Sequence, residues 1–204
     1  MAELTITTFL SLDGVMQAPG APDEDPSGNF SYGGWVFPLA DDDMGKIIAD
    51  IFSRADAFLL GRTTYDIFSA YWPRVTDPKD IVAAKLNSLP KFVASRSRSA
   101  FTWQNTEHIP DVEKEVVELK KRFGREIQVH GSAGLAQTLI MKDLVDEYRL
   151  LVFPVIIGTG KKLFGTGIVP RSLKLMRSST TGAGAVFSVY RRAGDLKTGS
   201  FALD

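Results

Sequence analysis

The chain contains no cysteine and only two histidines, His108 and His130. Without thiols there are no disulfides, thiolate metal sites or cysteine nucleophile. Two histidines without ligand spacing argue against a zinc centre. The string His130-Gly131-Ser132-Ala133-Gly134 looks like a nucleophile elbow, but His130 stands where that motif needs its first glycine. No histidine follows Ser132 either, which the hydrolase order requires. Charge of one sign is also missing. Lys+Arg and Asp+Glu each total 24, so no global positive field recruits nucleic acid. No apolar run approaches the roughly 18 residues that would span a bilayer. The opening Met1-Ala2-Glu3 lacks a basic leader, which predicts a soluble, cytoplasmic protein. No linker, repeat or low-complexity tract divides the chain, so one domain is expected over residues 1–204.

What is present alternates strand and helix. Leu4–Leu12 reads as a first strand, and Asp13–Pro38 as a long irregular segment rich in glycine and proline. Met16, Phe30, Tyr32, Trp35 and Phe37 make that segment too aromatic for disorder, and it reads as a partly ordered lid. Asp41, Asp42 and Asp43 open a helix whose inner face is Met44, Ile47, Ile48, Ile51 and Phe52. Ala57–Leu60 is an apolar strand, turned at Gly61-Arg62-Thr63 into a helix ending near Trp72. Asp77-Pro78 predicts the start of another helix towards Leu89. Lys91–Ala94 is a strand that empties into Ser95-Arg96-Ser97-Arg98-Ser99. A helix follows from Asp111 to Gly124, with Val112, Val116, Leu119 and Phe123 inward. Glu147–Ile157 reads as a long strand with Pro154 inside it, hence an edge or a bulge. Ser172–Thr180 and Ala185–Arg192 then pair antiparallel. The pattern predicts an α/β fold, a mixed, mostly parallel sheet flanked by helices with antiparallel C-terminal strands.

The central stretch is Ile127–Ile140, where a short strand passes through Gly131, Ser132, Ala133 and Gly134 into a helix beginning near Leu135. The first N–H groups of such a helix form a site for an anion. The competing reading is a tight turn with Ser132 as N-cap. Two other strand ends carry similar chemistry, Gly61-Arg62-Thr63 and Ser95-Arg96. Ligands bind beyond the carboxyl ends of the strands in open α/β sheets, so one phosphorylated dinucleotide would use all three ends. The glycine spacing is not the usual dinucleotide fingerprint, and Gly160-Lys161 lacks the preceding glycine of a Walker A loop.

At this point LTITTFLSLDGVM, AFLLGRTTYDIF, KFVASRS, IQVHGSAGLAQTLI and DEYRLLVFPVIIGTGKKLF, in that order, resemble the reductase domain of bacterial riboflavin biosynthesis, which has the dihydrofolate reductase fold. The resemblance implies an eight-stranded mixed sheet, NADPH as cofactor and a homodimer. It places Gly61, Arg62 and Thr63 near the adenosine, Ser95 and Arg96 at the 2′-phosphate, Gly131–Leu135 at the pyrophosphate, and the loop from Asp13 over the nicotinamide. Arg62-Thr63-Thr64-Tyr65 departs from the segment with which the riboflavin enzymes hold their phosphoribosyl substrate. The expected activity is therefore reduction of a C=N or C=O group in a small heterocyclic or sugar-linked substrate. A pterin reductase and a nucleotide-binding module without turnover remain alternatives. Asp13 and Asp43 are the candidate proton-handling residues, since an aromatic lid over a carboxylate would raise its pKa. Ordinary turn and cap chemistry is the competing reading for both.

Overall fold

The computed structural model describes residues 1–202. Eight strands form one sheet: β1 (Glu3–Ser11), β2 (Ala55–Gly61), β3 (Lys91–Ala94), β4 (Thr106–Ile109), β5 (Glu126–Val129), β6 (Glu147–Phe153), β7 (Arg171–Thr180) and β8 (Val186–Asp195). Their order is β4-β3-β2-β5-β1-β6-β8-β7, parallel from β4 through β6 and antiparallel for the last two. The interior strands read as continuous apolar runs because helices cover both faces. On one face α4 (Val112–Arg122) and α5 (Ala133–Met141) bury Val116, Leu119, Leu135 and Leu139 against Leu4, Ile6, Leu59 and Ile127. On the other, α1 (Asp42–Ser53), α2 (Arg62–Tyr71) and α3 (Ile81–Ser88) contribute Ile51, Phe52, Tyr65 and Leu86. The periodicity of α1 thus reports its buried face correctly.

Three expectations change. Strand β4 was not predicted; its Thr-Glu-His-Ile sequence carries only one fully buried side chain because it lies at the sheet edge. The helix expected from Asp77 begins at Ile81, and Asp80 is its cap, accepting from the Ala83 amide at 2.9 Å. Strand β6 stops at Phe153, so Pro154 follows the strand and does not mark an edge. Pairing with β1 on one side and β8 on the other makes β6 interior, and the exposed edge is β7.

The segment 13–38 is folded onto the body. Gln17 is buried there: its amide donates to the carbonyls of Asp25 and Ser27 and its oxygen accepts from the Lys161 amide. Trp35 Nε1 donates to the Gln17 carbonyl, and Phe30 packs beside Val15 and Ala18.

Candidate active site

Because β1 to β6 run parallel, their carboxyl ends lie along one edge of the sheet. Every residue singled out as a site candidate is at or near that edge. The expectation of a raised pKa at Asp13 fails there.

The glycine turn is built by close approach. The Gly61 amide donates to the Gly131 carbonyl at 3.0 Å, which brings the starts of α2 and α5 side by side. A Cβ on Gly61 would lie 2.2 Å from Ser132 Oγ, and one on Gly131 would lie 2.6 Å from Thr64 Oγ1. Gly131 also has φ +140° and precedes a cis peptide to Ser132. A side chain at Gly61 would collide with Ser132, and one at Gly131 would collide with Thr64 and be strained at that positive φ. Ser132 occupies the N-cap position of α5, yet its hydroxyl accepts no helix N–H; Gly61 caps α2 with no side chain at all. Elsewhere Asp41, Asp80 and Asp111 satisfy the first amides of α1, α3 and α4. Ala133 and Leu135 point into the core, while a Cβ on Gly134 would meet nothing within 4 Å. Two adjacent helix N-termini thus present amides without side-chain caps to the same edge, an arrangement that favours an anion.

At the ends of β2 and β3 lies a charged cluster. Asp66 on α2 accepts from Arg98 and pairs with Arg62 at 3.5 Å. The Arg98 guanidinium lies 4.6 Å from the ring centre of Phe101 and 5.5 Å from that of Tyr65. Ser95 is buried, and its hydroxyl accepts the amides of Ser97 and Arg98 at 3.3 and 3.0 Å. Ser95 therefore shapes the loop that presents the arginines. Arg96 is exposed and has no ion-pair partner among the described residues. Thr63 is half-buried in the first turn of α2. Sequence reasoning missed Asp66, Tyr65 and Phe101; the spacing of Arg62 and Asp66 by four was the available signal.

Asp13 behaves opposite to expectation. Its carboxylate accepts the Ile157 amide at 3.0 Å, the Gly158 amide at 2.9 Å and the Ser11 hydroxyl at 2.7 Å. The Ile157 amide foremost, then the Ser11 hydroxyl, hold its pKa down to about 2. It therefore carries no proton near neutrality, and it ties the end of β1 to the chain leaving β6. Leu12 and Ile156 flank it with side chains 66% and 76% exposed. Asp41 is likewise committed, accepting from Met44 at 2.8 Å and from the Ala183 amide at 2.7 Å. Asp43 is exposed and, among the described residues, pairs only with Lys46 at 3.1 Å. One half-buried imidazole borders the turn: His130 stacks on Phe52 at 4.5 Å and faces the Gln128 amide oxygen at 3.2 Å. Burial, with the nearby Arg149 charge, pushes its pKa down to about 3, so it is neutral beside the anion site.

Among the described residues no group of His, Asp and Glu is placed to hold a metal ion, and no helix is long and apolar enough to cross a membrane. The uncapped turn, the arginines and the open space at Gly134 fit a phosphate-bearing cofactor.

Comparison with known proteins gives the family and the fold. Residues 2–187 match the model of the RibD C-terminal domain. The uncharacterized protein YyaP of Bacillus subtilis is 34% identical over 154 residues, 74% of this chain and 81% of that protein. Among solved structures, a putative riboflavin biosynthesis protein from a Shewanella species superposes with TM-score 0.70 at 20% identity, covering 95% of this chain and 99% of the other. A pyrimidine reductase-like protein from Corynebacterium diphtheriae gives 0.65 at 18% identity, with 95% and 93% covered. Dihydrofolate reductase from Enterococcus faecalis, complexed with NADP(H) and an added compound, gives 0.59 at 12% identity, with 93% and 96% covered. At such identities the structural matches establish the dihydrofolate reductase-like fold, and the match along nearly the whole chain establishes that the protein belongs to the RibD C-terminal domain family.

Proposed function

We propose that the protein is an NADPH-dependent reductase of a small heterocyclic or sugar-linked substrate. Membership of a family named for riboflavin biosynthesis, and fold neighbours that include reductases, support oxidoreductase chemistry. The observation that carries the cofactor assignment is the pair of adjacent helix N-termini without side-chain caps beside three arginines. The amides of Ala133, Gly134 and Leu135 would hold the pyrophosphate, with Ser132 beside them. Gly61, Arg62 and Thr63 would border the adenosine side, and Arg62, Arg96 and Arg98 would face the 2′-phosphate. Three strand spacings, about 14 Å, separate the ends of β3 and β1, room for an extended dinucleotide. When bound, NADPH supplies the hydride.

The remaining work falls to this chain. Asp13 locks the ends of β1 and β6 in register, and Leu12 and Ile156 offer an apolar surface against which an acceptor ring can pack without water. Asp43, exposed at the start of α1, is the carboxylate free to relay a proton from solvent; we assign Asp13 a positioning role. Fluorescence titration with NADPH tests the cofactor assignment, and loss of nicotinamide absorbance with a panel of cyclic imines, pterins and pyrimidines tests turnover. Absence of NADPH binding up to millimolar concentration refutes the assignment. The same reading includes a homodimer formed through the β7 edge.

A further inference from the structure

Among the described residues, Arg96 has no ion-pair partner, and Arg62 and Arg98 are joined by one carboxylate, Asp66. Its contribution to folding is small: side chains about 40–50% exposed form weak pairs. Arginine four residues before aspartate is also the less favourable order along a helix. Arg98 does not need Asp66 to stay in place. Its guanidinium is held by the rings of Phe101 and Tyr65, its backbone amide by Ser95 Oγ, and its Nε is buried without a partner. What Asp66 does is occupy, with negative charge, the donors that a 2′-phosphate would use.

Resting on the nucleotide reading of this edge, we infer that Asp66 is the residue that sets cofactor selectivity, by competing with the 2′-phosphate for Arg62 and Arg98. To admit that phosphate, the Asp66 side chain must give up its arginine contacts or endure a doubly charged neighbour. Either course lowers NADPH affinity and leaves NADH unaffected. The natural chain therefore discriminates between the two cofactors less than its three arginines would allow.

Binding alone tests this, without a substrate. Adenosine 2′,5′-bisphosphate and adenosine 5′-monophosphate differ only in the phosphate at issue and serve as probes by calorimetry, with NADPH and NADH alongside. Asp66→Asn is expected to tighten the bisphosphate and NADPH roughly tenfold, the size of one close like-charge interaction. The monophosphate and NADH should stay within about twofold. Asp66→Glu keeps the charge and is expected to stay near the parent, which separates charge from any loss of packing. The inference is overturned if Asp66→Asn binds the bisphosphate no better than the parent, or tightens both nucleotides equally. If neither the parent nor the variants bind any of the four compounds, the nucleotide reading itself fails and takes the inference with it. Nucleotide binding that Asp66→Asn leaves unchanged strikes the inference alone.

Discussion

At the scale of single residues, the glycines separate stability from binding. Gly134 lies in the first turn of α5 with open space before it. Gly134→Ala should stabilise the helix by up to about 1 kcal/mol, seen as a higher melting temperature. The new methyl would enter the proposed pyrophosphate site, so NADPH affinity should fall several-fold. A variant that melts higher and binds equally well would displace the site from this turn. Asp13 makes a different kind of prediction. Its folded pKa of about 2 lies below the ordinary aspartate value of 3.8, so its stabilisation is fully present above about pH 4 and is lost as pH falls through 2. Asp13→Asn should cost about 1–2 kcal/mol at pH 7, and denaturation curves of parent and variant should converge towards pH 2. The sequence placed Asp13 at the right end of β1. It could not show that amides 144 and 145 residues away would saturate the carboxylate.

Among the elements, β3 depends on a charge buried at its start. Lys91 donates to the carbonyls of Leu86 and Leu89 at 2.7 and 2.9 Å, closing the C-terminal end of α3, and lies 4.5 Å from the Trp103 ring centre. Burial pushes its pKa down to about 8 from 10.5. The folded state therefore binds fewer protons than the unfolded state between those values, and stability contributed by this site rises as pH climbs from 8 to 10.5. Chemical denaturation at pH 7.5 and pH 10 should show this rise in the parent and its loss in Lys91→Met. An equal pH response in both would deny Lys91 the effect. Periodicity located α1, α4 and α5 because each presents one apolar stripe to the sheet. It missed β4, whose position at the edge relieves three of its four side chains of full burial.

For the whole molecule, the open question is the far edge. β7 is paired only to β8, and Leu173, Leu175 and Met176 are exposed along it. Such an edge invites pairing with another strand. A dimer of about twice 22.4 kDa is expected by light scattering, and Leu175→Lys should convert it to monomer without loss of fold. A monomer at high micromolar concentration would refute the β7 interface. The sequence pointed to Glu147–Ile157 as an edge strand because Pro154 lies inside that run. Only long-range pairing reveals that β8 folds back beside β6 and leaves β7 outermost.

The sequence by itself determined the alternation of strands and helices, the glycine turn between β5 and α5, and the clustering of anion-binding groups at strand ends. Those signals are local: apolar period, a missing Cβ and basic residues next to a strand. The strand order, the meeting of Gly61 with Ser132, the pairing of Arg98 with Asp66 and the low pKa of Asp13 were decided by tertiary structure alone. Each depends on contacts between residues brought together across the sheet, or on competition among neighbours for the same hydrogen-bond donors, and neither is written in any short stretch of chain.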